Sequence, residues 1–241
     1  MTISVAVVGA TGRMGKLSID LIEASQDFSL HSALDSKSNL SQTLGADVVL
    51  DFTLPEVSPS VVQHAIENSQ KLLVGTSGWS AAKLDQIKGQ LGSSGAAVVV
   101  IPNFSIGSML ATRFAAEAGK FFDSIEIVEA HHEHKIDSPS GTAVRTAELI
   151  ADGRKHLAQP LIQGVDQPAR GQVVAGIPVH SLRLKGVSAK QDVIFGGNSE
   201  LLTISHETNS TQAYAAGILL ALKATASATG LIVGLDKLVL G

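Results

Sequence analysis

The first hundred residues alternate between short apolar runs, or runs of alternating polarity, and longer segments with the three- and four-residue spacing of a helix face. Strands are predicted at 3–8, 28–35, 48–52, 72–74 and 97–101, and helices at 13–24, 57–68 and 80–91. Strands that alternate with helices need crossover connections. This half of the chain therefore predicts an α/β fold with a mostly parallel sheet.

The pattern changes near Pro102, where strands begin to outnumber helices. Helices are predicted at 106–122, 142–155 and 214–226, and strands at 124–132, 179–184, 192–195, 201–206 and 231–240. The clustered strands predict an antiparallel or mixed sheet in an α+β domain, and the last strand is expected to return to the first sheet. The polar segment 156–173 has no periodicity and is expected to be an exposed loop, with a subunit contact as a candidate role.

Composition narrows the class of protein. The 241 residues are enough for one large or two modest domains. The lack of cysteine excludes disulfides, thiolate nucleophiles and cysteine-ligated metals, and suits a reducing compartment. With 18 basic and 22 acidic residues the net charge is −4, so neither nucleic acid nor an anionic membrane is an expected partner. The first apolar run stops at Gly9, so we expect no signal peptide or membrane span and a cytoplasmic location.

Three glycines follow the first predicted strand, at positions 9, 12 and 15, where the first predicted helix begins. Glycine allows a tight turn and close backbone approach, and a helix N-terminus offers N–H groups and positive dipole to a pyrophosphate. The spacing is G-x-x-G-x-x-G rather than G-x-G-x-x-G. It favours a dinucleotide site over the alternative, a turn that only packs the helix on the strand.

Asp35 ends the second predicted strand, where an acidic residue would accept hydrogen bonds from an adenosine ribose; a solvated turn residue is the alternative. Arg13 and Lys37 stand where cations would face a ribose 2′-phosphate, or are ordinary surface cations, so the choice between NADH and NADPH stays open. Segments 51–53 and 75–78 end two further strands. We expect them at the same cleft, because open α/β sheets bind ligands at the carboxyl ends of their strands.

Three of the eight histidines lie within the segment 129–143, EAHHEHKIDSPSGTA. In a straight strand His131 and Lys135 would share a face but lie ~13 Å apart, so either the chain bends or the two hold different ends of a ligand. General acid chemistry with substrate binding is favoured over purely structural histidines. A metal site, disfavoured by the adjacent lysine, would use His131, His134, Glu129 and Glu133.

The sequence Ser140-Gly141-Thr142 precedes a predicted helix. Serine and threonine are common helix caps, so capping alone is one interpretation. Beside Lys135, however, a helix N-terminus with two hydroxyl groups also suits a carboxylate. We favour binding of an anionic substrate.

Taken together, these segments resemble the dihydrodipicolinate reductase family over essentially the whole chain, and the length and the form of segment 176–184 are similar to actinobacterial members. The matching segments are VVGATGRMG at 7–15, DFT at 51–53, GTSG at 75–78, PNFSIG at 102–107, EAHHEHKIDSPSGTA at 129–143 and GIPVHSLRL at 176–184. Residues 131–142 are the most specific part of the resemblance. The glycine turn indicates only a dinucleotide.

The resemblance implies roles for particular residues. His131 would be the proton donor, and Lys135 the second acid/base or carboxylate-binding residue. The two substrate carboxylates would be bound by His132, Ser140, Gly141 and Thr142. The nucleotide would be bound by Gly9, Ala10, Thr11, Gly12, Arg13, Met14, Asp35, Gly75, Thr76, Ser77, Ile101, Pro102, Asn103 and Phe104. No metal is implied.

The resemblance also implies a fold and a reaction. A Rossmann-type domain at 1–103 and 212–241 would carry an inserted α+β domain at 104–211 that binds the substrate and builds a homotetramer. The small-molecule dicarboxylate would lose water, accept hydride from NADH or NADPH at the conjugated imine, and be protonated as the enamine, in the diaminopimelate route to lysine.

Two positions depart from the family pattern. Ala189-Lys190-Gln191 stands where many relatives have Gly-x-His, with Lys190 as a rearranged anion contact, and Thr211 stands where many have arginine near the hinge. Two other classes of protein stay open. One is another oxidoreductase of this architecture, although a thioester-forming semialdehyde dehydrogenase would need a cysteine. The other is a nucleotide sensor without catalysis.

Overall fold

The computed structural model describes residues 2–92, 94–158, 160, 162, 164 and 167–240. The chain forms two compact units, one from Met1–Ile106 with Thr211–Gly241 and the other from Gly107–Ser210. In chain order the elements are β1 (Ile3–Val8), α1 (Arg13–Glu23), β2 (Phe28–Leu34), β3 (Val48–Asp51), α2 (Ser58–Glu67), β4 (Lys71–Val74), α3 (Ala81–Leu91), β5 (Ala97–Val100), α4 (Ile106–Ala118), β6 (Ser124–His131), α5 (Gly141–Gly153), β7 (Gln172–Val174), β8 (Ile177–Arg183), β9 (Ala189–Gly197), β10 (Glu200–Thr208), α6 (Ala215–Thr225), β11 (Gly230–Val233) and α7 (Leu235–Leu240).

The strands of the first unit form one parallel sheet in the order β11-β5-β4-β3-β1-β2. The interior strands β1, β3, β4 and β5 are buried over most of their length, which is why the sequence shows them as unbroken apolar runs. The edge strand β2 instead alternates between shielded and exposed positions. Because the strands are parallel, the turns that follow them lie at one edge of the sheet.

The second unit is built on a mixed sheet in the order β10-β9-β6-β8-β7, in which only the β6–β8 pair is parallel among the described strands. One face packs on α4 and α5 through residues such as Ile127, Phe195 and Ile150. On the other face large apolar side chains remain exposed, among them Leu182 and Leu201. The predicted combination of a Rossmann-type parallel sheet with an α+β domain is thus confirmed.

Helix α4 was predicted to continue to residue 122, but it ends at Ala118. Gly119 follows, and the buried guanidinium of Arg154 donates hydrogen bonds to the carbonyl oxygens of Gly119 and, at 2.7 Å, Phe122. Both carbonyl groups belong to the turn that follows the helix, so Arg154 contributes to holding that turn. The turn after α4 thus contacts a residue distant in the sequence.

Two further predicted strands are shorter than expected. Strand β6 stops at His131, because the N–H of Lys135 turns back to the carbonyl oxygen of His132 at 3.1 Å. The strand predicted at 231–240 ends at Val233, where Gly234 has a φ of +102°. Glycine adopts that conformation easily, and the remaining apolar residues form α7 instead.

The polar segment 156–173 lies partly outside the described residues. Its described part includes the start of β7 and a short helical turn at Pro168–Arg170. Within the described part of the chain, no helix has the length and apolar character that crossing a bilayer would require.

Candidate active site

The turn after β1 and the first turn of α1 each require a glycine. Gly9 has a φ of +86°, and a Cβ atom there would lie 2.5 Å from the carbonyl oxygen of Phe52. A Cβ atom on Gly15 would lie 2.2 Å from the carbonyl oxygen of Gly9. No side chain fits at these distances, so the helix can approach the strand this closely only with glycine at both positions.

Helix α1 begins without a side-chain cap, since its N-cap residue is Gly12. Thr11, Gly12 and Arg13 are exposed, while Gly9, Ala10 and Met14 are partly shielded. The N-terminal end of the helix, with its partial positive charge, is thus accessible from solvent. This glycine-lined backbone fits the phosphate groups of a dinucleotide.

We expect Gly15→Ala to lower the free energy of unfolding by about 1–3 kcal/mol, as overpacking in close-packed regions does. Gly89 is the matched control, because it lies inside α3 and a Cβ atom there meets nothing within 4 Å. Gly89→Ala should be neutral or raise stability by up to ~1 kcal/mol. Denaturant unfolding of both variants measures the difference. Equal stabilities would show that the turn can relax.

The carboxylate of Asp35 closes the turn that follows β2. Its Oδ1 atom accepts hydrogen bonds from the backbone N–H of Lys37 at 2.9 Å and the hydroxyl of Ser38 at 2.8 Å. The backbone N–H of Lys37, followed by the Ser38 hydroxyl, lowers the pKa of Asp35 below its ordinary value. Asp35 therefore stays ionised near neutral pH, and Arg13 and Lys37 are exposed cations.

Asp51 at the end of β3 is fully buried and connects three elements. Its carboxylate accepts hydrogen bonds from the hydroxyl groups of Thr53 at 2.6 Å, Thr76 at 3.2 Å and Ser58. These bonds hold together the end of β3, the start of α2 and the turn after β4. Asp51 thus shapes the sheet edge from inside, and the Thr76 hydroxyl is turned toward it.

The turns after β4 and β5 complete this edge. A Cβ atom on Gly75 would lie 2.1 Å from the Phe52 ring, whose centroid is 5.5 Å from that of Phe104. Ile101 and Phe104 are buried, whereas Ser77 and Pro102 are exposed and Asn103 is intermediate. The predicted nucleotide residues therefore all follow parallel strands of one sheet, at its carboxyl-end edge.

In the second unit, three side chains form a compact charged group at the end of β6. Nδ1 of His131 lies 2.6 Å from Oε2 of Glu129. The guanidinium of Arg183 donates one hydrogen bond to each oxygen of Glu129, both at 3.0 Å. Glu129 is completely buried. The bidentate contact with Arg183 balances the negative charge of this buried carboxylate.

The chain after His131 bends, as one of the two predicted alternatives required. Arg183 donates hydrogen bonds to the carbonyl oxygens of Lys135 at 3.3 Å and Asp137 at 2.6 Å, and so holds this bend. Nζ of Lys135 lies 2.7 Å from Oδ1 of Asp137. The hydrogen bond from Lys135 is the main cause of the lowered pKa of Asp137.

Ser140 is the N-cap of α5, and its hydroxyl accepts a hydrogen bond from the N–H of Ala143 at 3.2 Å. Its own N–H donates to Oε1 of Glu129 at 3.1 Å. Ser140 is buried, whereas Gly141 is exposed and Thr142 is partly exposed at the start of the helix. Capping is therefore the observed role of Ser140. The first turn of α5 remains the part that a ligand can reach.

Burial lowers the pKa of His131 below its ordinary value, Glu129 opposes that effect, and the charges of Lys135 and Arg183 add to it. For Glu129, burial would raise the pKa, but hydrogen bonds from Arg183, Ser181 and His131 outweigh it and the pKa is lowered. Near neutral pH the group thus contains an ionised glutamate and a neutral histidine.

The other histidines of the cluster have different surroundings. His132 and His134 are exposed, and their ring centroids are 6.4 Å apart. Among the described residues, no three histidine or carboxylate side chains are grouped as metal ligands would be. Glu129, one of the four residues that could supply metal ligands, binds Arg183 through both of its oxygens.

Sequence reasoning did not include Glu129 or Arg183 among the residues of a catalytic site. From the sequence, Glu129 is a candidate only as a metal ligand, and Arg183 is one residue of the segment 176–184. The signal in the sequence was the pattern E-x-H at the end of a predicted strand, which places both side chains on one face.

The structure also shows the two positions that depart from the family pattern. Nζ of Lys190 lies 3.2 Å from Oδ2 of Asp192. Thr211 begins a short helical turn before α6.

A parallel sheet with a glycine turn after its first strand, joined to a mixed-sheet unit that carries the histidine group, defines a Rossmann-type oxidoreductase with a second domain. Two family models match the chain: "Dihydrodipicolinate reductase, N-terminus" over residues 3–104 and "Dihydrodipicolinate reductase, C-terminus" over residues 107–239. The chain belongs to the dihydrodipicolinate reductase family. As a reductase with a Rossmann-type domain, it uses a nicotinamide cofactor.

Similar proteins agree with this assignment. A 4-hydroxy-tetrahydrodipicolinate reductase from Clavibacter sepedonicus is 58% identical over 240 residues, which cover 99% of this chain and 87% of that protein. One from Mycolicibacterium smegmatis is 40% identical and covers 97% of this chain and 98% of its own length. The resemblance to actinobacterial family members is thereby confirmed.

Solved structures agree as well. A dipicolinate-bound dihydrodipicolinate reductase from Paenisporosarcina sp. TG-14 superposes with a TM-score of 0.82 at 30% identity, covering 98% of this chain and 99% of that one. An amine dehydrogenase from Mycobacterium smegmatis reaches a TM-score of 0.64 at 9% identity over 98% of this chain and 96% of its own. The second similarity concerns the fold alone.

Proposed function

We propose that this chain catalyses the NAD(P)H-dependent reduction of 4-hydroxy-tetrahydrodipicolinate to tetrahydrodipicolinate in the diaminopimelate route to lysine. The observation that carries the proposal is the group at the end of β6: His131, held by Glu129, beside Lys135 and the start of α5. It combines a titratable ring, a cation and a helix N-terminus. A cyclic dicarboxylate needs these groups for binding and protonation.

The first unit would hold the cofactor. The backbone of Gly9–Met14 is suited to the pyrophosphate and Asp35 to the adenosine ribose, while residues 75–77 and 101–104 would line the rest of the nucleotide site. When bound, the reduced nicotinamide supplies the hydride. The chain itself contributes the rigid edge set by Asp51 and the close glycine packing described above.

The second unit would hold the two substrate carboxylates. Lys135 supplies a cation, Gly141 and Thr142 the first turn of α5, and His132 an exposed imidazole. Lys135 is paired with Asp137 at 2.7 Å, so a carboxylate must share or replace that partner. Ser140 would act through its cap, which fixes the direction of α5.

His131 would protonate the reduced ring. A dianionic ligand raises the pKa of a nearby imidazole, because opposite charge favours the protonated form. Substrate binding therefore counteracts the burial and the two cations that lower the pKa of His131 in the free protein. His131 would therefore be protonated when the substrate is bound.

The test is an assay of nicotinamide absorbance with freshly generated substrate. Loss of the reduced-nicotinamide band that depends on both protein and substrate supports a reductase. Cofactor binding without turnover would support a nucleotide sensor instead. Turnover of amino acids but not of the cyclic dicarboxylate would support another dehydrogenase class.

Cofactor choice depends on opposed charges. Asp35 is ionised and accepts ribose hydroxyl groups but repels a 2′-phosphate, while the exposed Arg13 and Lys37 attract it. We expect kcat/KM values for NADH and NADPH within about tenfold, which corresponds to ~1.4 kcal/mol. Arg13→Ala should weaken NADPH selectively, and less so at high salt. A wild-type preference of several hundredfold, or equal losses in the variant, would contradict this account.

We also propose a cytoplasmic homotetramer that associates through the open face of the second sheet. On that face Leu201 is 78% exposed and Leu182 is 44% exposed. Large apolar side chains exposed on one face of a sheet are typical of a surface that another protein covers. We propose that residues 1–103 with 212–241 bind the nucleotide and that residues 104–211 bind the substrate and mediate assembly. The open face belongs to the second of these domains. Light scattering measures the subunit number, and a monomer at micromolar concentration would argue against this assembly.

A further inference from the structure

Strand β6 carries two glutamates that have the same kinds of partner on opposite faces of the sheet. Glu129 binds His131 and Arg183. Glu126 binds His180 at 2.7 Å and also binds Arg170. Glu129 is completely buried, whereas the side chain of Glu126 is 30% exposed. Only the Glu129 group includes a residue of the proposed reaction.

The contact with Glu129 leaves one ring nitrogen of His131 for a ligand. An ionised carboxylate only accepts hydrogen bonds, so Nδ1, 2.6 Å from Oε2, must carry the hydrogen. Nε2 is then the atom that can take up and release a proton. Without Glu129, both tautomers of the ring would be available.

The same carboxylate is connected to the rest of the proposed substrate site. It accepts the N–H of Ser140, which begins α5, and both terminal nitrogens of Arg183. Arg183 in turn binds the carbonyl oxygens of Lys135 and Asp137. One buried ion pair thus contacts the proton donor, the helix start and the lysine bend.

We propose that Glu129 is a positioning residue of the reaction and that Arg183 is its counterion. Glu129 fixes the tautomer and ring orientation of His131, and Arg183 holds Glu129 and the Lys135 bend in one arrangement. The inference rests on the proposed function, because His131 must be the proton donor for its tautomer to matter. Neither Glu129 nor Arg183 transfers a proton.

Charge balance gives the two residues opposite effects on His131. Among the described residues, the charged groups that act on the ring are Glu129 on its own strand, Lys135 in the bend and Arg183 on β8. Replacing Glu129 by glutamine leaves two cations near the ring, which disfavour protonation. Replacing Arg183 by glutamine leaves an uncompensated carboxylate, which favours it.

The experiment compares full-length wild type, Glu129→Gln, Arg183→Gln and the control Glu126→Gln. The titration midpoint of His131 is followed by NMR of its ring protons, and kcat is measured against pH. Glu129→Gln should move the His131 midpoint and the alkaline limb of kcat to lower pH by about 1 pH unit or more, since an opposite charge in contact has been removed. Arg183→Gln should move the midpoint to higher pH. Glu126→Gln should leave it unchanged.

A purely structural role would lower the amount of folded protein without opposite shifts in the two variants. Unchanged His131 midpoints in both variants would therefore overturn the inference, and so would shifts of the same sign. If Glu129→Gln does not fold, the direction in Arg183→Gln still decides. His131→Gln separates the two levels: wild-type turnover in that variant would refute the proposed role of His131 itself. An inactive His131→Gln with unshifted Glu129 and Arg183 variants would refute only the positioning role.

Discussion

His131→Gln should lower kcat by ~10²-fold or more while cofactor binding is retained, because a positioned general acid contributes rate enhancement of about that size. Glutamine keeps a hydrogen-bonding side chain beside Glu129 but cannot donate the proton of an imidazolium. The measurement is steady-state kinetics together with nucleotide binding by calorimetry.

The matched control for this loss is His134→Gln. His134 lies three residues further along the same bend, and its side chain is 85% exposed. The His134→Gln variant should therefore retain a kcat close to that of the wild type. Wild-type kcat in His131→Gln would remove this histidine from the mechanism, whereas equal losses in both variants would point to a damaged bend.

Lys135→Ala should weaken binding of the substrate, or of a planar pyridine dicarboxylate, at least tenfold. Charge-assisted hydrogen bonds are worth ~1.5–3 kcal/mol, and ~1.4 kcal/mol already corresponds to tenfold. Removing the lysine also removes the partner of Asp137 at 2.7 Å. The carboxylate of Asp137 would then repel the anionic ligand. Calorimetry with the dicarboxylate measures the loss.

Cofactor affinity should change little in Lys135→Ala, because the nucleotide residues belong to the other unit. Lys185→Ala is the control for net charge. The side chain of Lys185 is 84% exposed, and its Nζ atom lies 3.8 Å from Oε2 of Glu133, which belongs to the same bend as Lys135. The Lys185→Ala variant should leave dicarboxylate binding near the wild-type value. Equal losses for cofactor and dicarboxylate in Lys135→Ala would mean that the lysine maintains structure instead of binding the anion.

The sequence by itself determined the sheet of the first unit and the position of its glycine turn. Buried parallel strands need apolar side chains on both faces, so β1 and β3 were visible as unbroken runs. Gly15 is constrained locally, by the carbonyl oxygen of Gly9, whereas Gly9 is constrained by its positive φ and by the carbonyl oxygen of Phe52 in the turn after β3. The histidine cluster and the cap at Ser140 are also local, since they depend on spacing along a few residues.

Features that depend on pairing between distant segments required the tertiary structure. Glu129 and Arg183 are 54 positions apart, and only the parallel pairing of β6 with β8 brings the two together. The turn that follows α4 is likewise bound by Arg154, 35 positions after Gly119.

A bend between His131 and Lys135 was one of two alternatives in the sequence; the other was a straight strand whose two residues hold different ends of a ligand. The tertiary structure decided between them, since Arg183 holds the bend by binding the carbonyl oxygens of Lys135 and Asp137. Patterns of hydrophobicity record which residues are buried. They do not show which buried charges meet, and in this protein Glu129, Arg183 and His131 come together only through strand pairing.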